Sequence, residues 1–133
     1  MNTNMNTKPK ILIIDDEVSF LKIFGTALGN AGFEIKTYSN PLEALKEIEF
    51  EKPVLILLDI SMPGMDGFEF FDQLKNRLGK NIPKIVFLTN LGENVAGASV
   101  DEHFAKNIGA AGYVHKTDNL SDVVKKVNEI IGG

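Results

Sequence analysis

The segment PVLILLD, residues 53–59, decides the fold, because five consecutive apolar residues run directly into an aspartate. A short run rich in Val, Ile and Leu is typical of a strand that is buried on both faces, as in a parallel sheet. The segments KILIIDD at residues 10–16 and PKIVFLT at residues 83–89 repeat this arrangement. The sequence therefore predicts three buried strands, each with polar residues at its carboxyl end.

Two further segments complete the predicted sheet. FEIKTYS at residues 33–39 alternates apolar and polar residues, which predicts an edge strand with one wet face, and AGYVHK at residues 111–116 predicts the last strand. Helical patterns fill the gaps, so strand and helix alternate five times. Short right-handed crossovers then favour an α/β doubly wound sheet with helices on both faces.

Several predicted helices carry recognisable start signals. Asn40 is a predicted N-cap, and Pro41 suits the first helical position. Asp66 is expected to cap the third helix, and Ser99 and Glu102 have the spacing of a capping box. The second helix is expected to bury one stripe, formed by Leu42, Leu45 and Ile48.

Composition bounds the class of protein. The 133 residues include 44% hydrophobic and 24% charged residues, which indicates one globular domain. The absence of cysteine excludes disulfides and thiolate sites, and the net charge of −4 argues against direct nucleic-acid binding. Residues 1–9 predict a flexible tail without the apolar core of a signal peptide, and residues 10–133 predict the domain. We expect a cytoplasmic protein without membrane insertion.

Polar side chains follow four of the five predicted strands. Asp15 and Asp16 follow the first strand, Asp59 the third, Thr89 the fourth and Lys116 the fifth. In doubly wound folds the carboxyl ends of the strands meet at one edge, and ligands bind there. The sequence therefore predicts a functional site that is assembled from distant parts of the chain.

Three crowded carboxylates need compensation, because their mutual repulsion raises at least one pKa. A hard divalent cation such as Mg²⁺, or Mn²⁺ in its place, would resolve this conflict through oxygen ligands. Asp59 could then act as a nucleophile on phosphorus and form an aspartyl phosphate. The metal and Lys116 would neutralise the phosphoryl charge, and the Thr89 hydroxyl could bond to a phosphoryl oxygen.

The strand-end motifs together resemble those of response-regulator receiver domains. Each motif alone is weak, but their order and their positions at the strand ends are specific, and the similarity covers almost the whole chain. The resemblance implies a flavodoxin-like five-stranded parallel sheet, strand order 2-1-3-4-5, with five helices. The motifs are IIDDE at 13–17, LLDISMPGMDG at 57–67, VFLTN at 86–90 and GYVHK at 112–116.

The resemblance also implies roles for individual residues. Asp59 would be the phosphoacceptor in a Mg²⁺-dependent reaction. Asp16 would bind the metal directly, Asp15 would act mainly through water, and the backbone carbonyl of Ser61 would be a further ligand. These roles describe a signalling switch that catalyses only its own phosphorylation and dephosphorylation, rather than an enzyme.

Three further residues are implied to bind the phosphoryl group or to respond to it, and Thr89 and Tyr113 among them form the switch. Lys116 would pair with the phosphoryl group, Thr89 would turn inward to bond it, and Tyr113 would follow from an exposed to a buried position. The donor would be a sensor histidine kinase or a histidine phosphotransfer protein. An output protein, whose identity the sequence leaves open, would bind the face formed by the fourth helix, fifth strand and fifth helix.

The sequence departs from the family pattern beside the predicted site. Asn90 follows Thr89 where the family usually has a smaller residue, so we expect narrowed access to the phosphoryl group and slow hydrolysis. The connection at residues 90–102 is longer than usual and predicts a mobile loop. Glu17 is expected to be only a first-turn residue that complements the helix dipole, and His115 is expected at the surface.

Alternative functions remain open within and outside this class. The chain could be a receiver cut from a larger regulator, or a pseudo-receiver that binds partners without phosphorylation. A phosphatase that forms an aspartyl phosphate would need an acid two residues after its nucleophile, where this chain has Ser61. A nucleotide-binding module would need a glycine-rich phosphate loop after the first strand, where acids stand instead.

Overall fold

The computed structural model describes residues 8–90, 94–95, 98–99 and 102–132. The predicted tail therefore lies outside the described residues, apart from its last two positions. The strands are β1 Lys10–Ile14, β2 Glu34–Tyr38, β3 Leu55–Asp59, β4 Lys84–Thr89, β5 Asn94–Val95, β6 Ala98–Ser99 and β7 Gly112–His115. The helices are α1 Val18–Asn30, α2 Pro41–Glu51, α3 Gly67–Leu78, α4 Glu102–Asn107 and α5 Leu120–Gly132, with a 3-10 turn at Gly79–Asn81.

The main sheet has five parallel strands in the order β2-β1-β3-β4-β7. Since β7 is the fifth strand of this sheet along the chain, the predicted order 2-1-3-4-5 is confirmed. The edge position predicted for β2 is confirmed as well. The strands β5 and β6 form a separate antiparallel ribbon between β4 and α4.

Two apolar layers cover the two faces of the sheet. Alternate residues of β1, β3 and β4 point into opposite layers, because successive side chains of a strand face opposite sides. One layer packs against α1 and α5, and the other packs against α2, α3 and the buried Ala105 of α4. The predicted doubly wound architecture is therefore confirmed, and both faces of the central strands are buried as their continuous apolar runs indicate.

The start signals of two helices hold in the structure. The Asn40 side chain accepts hydrogen bonds from the backbone N–H groups of Leu42 at 2.8 Å and Glu43 at 3.4 Å. Asp66 and Glu69 form a complete capping box at the start of α3. The predicted burial of Leu42 is wrong: this side chain is 54% exposed, and Ala44 is buried with Leu45 and Ile48 instead.

The predicted capping box at Ser99 is also wrong. Ser99 pairs with Asn94 in the antiparallel ribbon, and α4 begins only at Glu102. The longer connection after β4 is thus partly organised as a ribbon. Mobility was predicted for residues 90–102, and much of this stretch lies outside the described residues. No helix in the described part of the chain is long and apolar enough to span a bilayer.

Candidate functional site

The carboxyl ends of the parallel strands bring four predicted residues together. Asp15 follows β1, Asp59 ends β3, Thr89 ends β4 and Lys116 follows β7. All four are buried, with at most 5% of each residue exposed. Burial of charged side chains is costly unless they are paired, so this cluster indicates a site rather than a solvated turn.

Lys116 is the central cation of the cluster. Its Nζ lies 2.9 Å from Asp15 Oδ2, 2.9 Å from Glu17 Oε1 and 3.3 Å from Asp59 Oδ2. The ammonium group also lies 4.8 Å from the centroid of the Phe20 ring, within reach of a cation–π interaction. One positive charge therefore faces three carboxylates, and the site keeps an excess of negative charge.

Two buried carboxylate oxygens accept no hydrogen bond in the described structure. They are Asp15 Oδ2 and Asp59 Oδ2, which Lys116 approaches at ion-pair distance but not in hydrogen-bonding geometry. Carboxylate oxygens of Asp15, Asp16 and Asp59 all lie within 4.8 Å of one another. An all-oxygen donor set with unsatisfied lone pairs is suited to Mg²⁺ or Mn²⁺, so the residues present fit the predicted cation.

Burial and charge alter the acidity of two groups. Burial, followed by repulsion from Asp15, raises the pKa of Asp59 to about 8, although Lys116 opposes the shift. Burial alone would lower the pKa of Lys116, but the hydrogen bond to Glu17 and the charges of Asp15 and Asp59 outweigh it, so this pKa is raised. The site is therefore short of positive charge around Asp59.

The backbone near Asp59 is held by the start of α3. The Ser61 N–H donates to Asp59 Oδ1 at 3.3 Å, and the Gly67 N–H donates to the Ile60 carbonyl at 2.8 Å. A Cβ at Gly67 would lie 2.5 Å from the Asp59 carbonyl oxygen, so this position requires glycine for close approach. That the Ser61 carbonyl binds a metal stays a prediction.

Thr89 forms a contact that the sequence did not predict. Its Oγ1 lies 2.9 Å from His115 Nδ1, because β4 and β7 place Thr89 and His115 directly opposite each other. The His115 ring lies edge-on to Tyr113, with centroids 5.2 Å apart and an interplanar angle of 82°. His115 thus touches both residues of the predicted switch. Asn90, the next residue after Thr89, is exposed.

Sequence reasoning missed the contacts of Glu17 and His115. Glu17 is the N-cap of α1, but its side chain makes no capping bond and pairs with Lys116 instead. His115 is half-buried rather than at the surface. The alternation of Tyr113 and His115 along β7 could have indicated a shared face, but the pairing with Thr89 follows only from the strand register.

Known proteins share both the sequence pattern and the fold. A family model described as "Response regulator receiver domain" matches residues 11–128. The chain is 35% identical over 126 residues to "Probable transcriptional regulator ycf27" of Pyropia yezoensis, covering 95% of this chain and 49% of that protein. It is 32% identical over 120 residues to "Sporulation initiation phosphotransferase F" of Bacillus subtilis, covering 88% of this chain and 91% of that protein.

Solved structures agree with this likeness. The structure of chemotaxis protein CheY4 of Vibrio cholerae superposes with a TM-score of 0.79 at 27% identity, covering 93% of this chain and 99% of that one. The chain spans about half the length of the first curated relatives it matches, which are described as transcriptional regulators. The shared region therefore corresponds to one part of those longer proteins.

Proposed function

Because the chain belongs to the response regulator receiver domain family, we propose that its Asp59 accepts a phosphoryl group from a phosphohistidine. Receiver domains act as phosphorylation-dependent switches. The observation that carries the assignment to Asp59 is its buried carboxylate, whose Oδ2 accepts no hydrogen bond and lies 3.3 Å from Lys116 Nζ. We assign residues 10–133 to the receiver domain.

The proposed reaction is a transfer between two nucleophiles. A carboxylate oxygen of Asp59 attacks phosphorus, and the bond between phosphorus and the donor imidazole nitrogen breaks. The imidazole leaves with the bonding electron pair and takes up a proton from solvent, and Asp59 becomes an acyl phosphate. Lys116 Nζ remains beside the new group and offsets charge on its oxygens.

Asp15, Asp16 and Asp59, with the backbone carbonyl of Ser61, would hold the divalent cation. The clustered and unsatisfied carboxylate oxygens support this assignment. When bound, Mg²⁺ or Mn²⁺ would supply the positive charge that a phosphoryl group needs beside three acids. In the proposed roles, Asp16 binds the cation directly and Asp15 acts mainly through water.

The proposed response begins at Thr89 and Tyr113. Thr89 Oγ1 turns towards the phosphoryl group, and Tyr113 becomes more buried as it follows. The altered surface is the face formed by α4, β7 and α5, where an output protein binds. The donor is a sensor histidine kinase or a histidine phosphotransfer protein. We propose a cytoplasmic location, where the chain would meet such a donor. We propose a protein partner rather than DNA, which fits the net charge of −4.

Intact-protein mass spectrometry tests this function directly. Wild-type protein is incubated with acetyl phosphate, with and without Mg²⁺, beside Asp59→Asn. We expect one phosphoryl adduct that requires Mg²⁺ and is lost in the variant. A folded wild-type protein that binds Mg²⁺ but forms no adduct would refute the proposal and favour the pseudo-receiver.

The relatives support a second arrangement of the same activity. The chain covers 49% of one relative described as a transcriptional regulator and 91% of the sporulation phosphotransferase. The receiver could therefore act alone or as part of a longer regulator. The length of the complete open reading frame distinguishes the two arrangements, and neither alters the proposed chemistry at Asp59.

A further inference from the structure

We propose that His115 is a positioning residue that holds Thr89 and Tyr113 in the arrangement of the unphosphorylated protein. This inference rests on the proposed function of Asp59. It is carried by two contacts, the 2.9 Å approach of His115 Nδ1 to Thr89 Oγ1 and the edge-on packing of the His115 ring against Tyr113. A single side chain thereby restrains both residues of the switch.

The hydrogen bond competes with the phosphoryl group for one hydroxyl. Thr89 has one hydroxyl hydrogen, and in neutral His115 the Nδ1 atom can accept it. When Thr89 turns towards a phosphoryl oxygen, that bond must break. His115 is half-buried, so where water takes the place of Thr89 at Nδ1 the cost is one net hydrogen bond rather than an unsatisfied buried group.

The backbone on both sides keeps His115 in place. The His115 N–H donates to Asp118 Oδ2 at 3.0 Å, and the Asp118 N–H donates to the His115 carbonyl at 3.0 Å. One residue further on, the Lys116 N–H donates to the Thr89 carbonyl at 2.8 Å. The first two bonds close the turn after β7 and the third ties the end of β7 to β4, so the backbone of His115 is held opposite Thr89.

Tyr113 is restrained from a second direction. Lys126 Nζ donates to the Tyr113 carbonyl at 2.7 Å and lies 4.8 Å from the centroid of its ring. The ring is half-buried and packs against the core layer on the side of α2 and α3. Since the His115 ring lies at its edge, a change in the packing of Tyr113 would alter its contact with the residue that bonds Thr89.

Three substitutions separate the two contacts. His115→Phe keeps an aromatic ring beside Tyr113 but removes the hydrogen bond to Thr89. His115→Asn keeps a polar atom bonded to Cγ, where imidazole carries Nδ1, but removes the ring. His115→Ala removes both. Because the hydrogen bond restrains Thr89, the Phe and Ala variants should switch more readily, and the Asn variant should show only the smaller change that comes from the lost ring contact with Tyr113.

Beryllofluoride with Mg²⁺ is the probe, because it mimics a phosphoryl group on an aspartate. The chain has two tyrosines, so protein with ¹³C-labelled tyrosine rings gives two sets of NMR signals, and Tyr38→Phe identifies those of Tyr113. The midpoint is the beryllium concentration at which half of the Tyr113 NMR signal has moved to its beryllofluoride-bound position. We expect this midpoint to fall about 2- to 10-fold in His115→Phe, which is the range set by one net hydrogen bond. In a Thr89→Ala background, His115→Phe should cause no further change.

The outcomes are distinguishable. A midpoint for His115→Phe that equals or exceeds the wild-type value would overturn the inference. A merely structural role for His115 would shift the midpoint equally with and without the Thr89 hydroxyl, so the Thr89→Ala background separates it from the proposed role. If wild type shows neither a beryllofluoride response nor an acetyl phosphate adduct, the proposed function fails and this inference fails with it. If wild type forms the acetyl phosphate adduct but the His115 variants keep the wild-type midpoint, only the proposed role of His115 is refuted.

Discussion

Asp59→Asn should stabilise the metal-free protein, and the gain should grow with pH. The folded protein holds the pKa of Asp59 at about 8, against an ordinary value of 3.8, mainly because the carboxyl group is buried and lies beside Asp15. A raised pKa in the folded state favours folding below the unfolded pKa, and that contribution is lost as pH rises towards the folded pKa. Asparagine cannot ionise, so the stability of the variant does not fall with pH in this way.

The size of the effect follows from the two pKa values. Between them, each pH unit changes the free energy of unfolding by about 1.4 kcal/mol for a single group. From about pH 5 to about pH 7 the upper bound is therefore ~2.7 kcal/mol, and coupling to Lys116 and Asp15 reduces it. We expect the stability gain of Asp59→Asn over wild type to increase by about 1–2.5 kcal/mol across this interval.

Urea unfolding at both pH values, with EDTA and far-UV circular dichroism as the signal, measures the difference. Asp72→Asn is the matched control, since Asp72 is an exposed carboxylate on α3, paired at 3.4 Å with Lys75. Mg²⁺ should stabilise wild type more than Asp59→Asn, so the difference in free energy of unfolding between the two proteins should become smaller. A gain that is the same at both pH values, or a variant less stable than wild type at about pH 7, would refute the reasoning.

Three further predictions concern the surroundings of Asp59. Lys116→Met leaves the buried acids without their cation, so urea unfolding without metal should show a free energy of unfolding that is lower by about 3–5 kcal/mol. A decrease of less than about 1 kcal/mol would contradict the central role of Lys116. Asn90→Ala should open access to the phosphoryl group and shorten the adduct lifetime about tenfold, measured by mass spectrometry over time; an unchanged lifetime would exclude the access role. Gly67→Ala places a Cβ against the Asp59 carbonyl and should cost about 1–3 kcal/mol in thermal unfolding, whereas a neutral result would mean that α3 shifts freely.

The sheet and the site's main residues could be predicted because both depend on local signals. Continuous apolar runs can be buried only where helices cover both faces of a sheet, and parallel strands bring their carboxyl ends to one edge. Asp15, Asp59 and Thr89 each end or follow such a run, and Lys116 follows the fifth strand of the same sheet, so their convergence follows from the topology. No knowledge of distant side-chain contacts is needed for that step.

Other features could not be predicted because they depend on register and on the direction of side chains. Glu17 meets Lys116 across a sequence separation of 99 residues, and no local pattern specifies that pair. His115 meets Thr89 only because β4 and β7 pair in one register. Ser99 has a capping-box spacing, yet pairing with β5 keeps it extended and delays the helix.

The shortness of α4 has a consequence for how a signal would leave the molecule. Six residues extend about 9 Å and form less than two turns, too few to persist as an isolated helix in water. The order of α4 therefore depends on its packing, in which Ala105 is fully buried in the same core layer that Tyr113 contacts. We expect α4 to open and close as a unit of low local stability. Repacking of Tyr113 would then change the rate at which the backbone amides of α4 exchange with solvent. A partner bound to this face would sense the lifetime of a helix as well as its position.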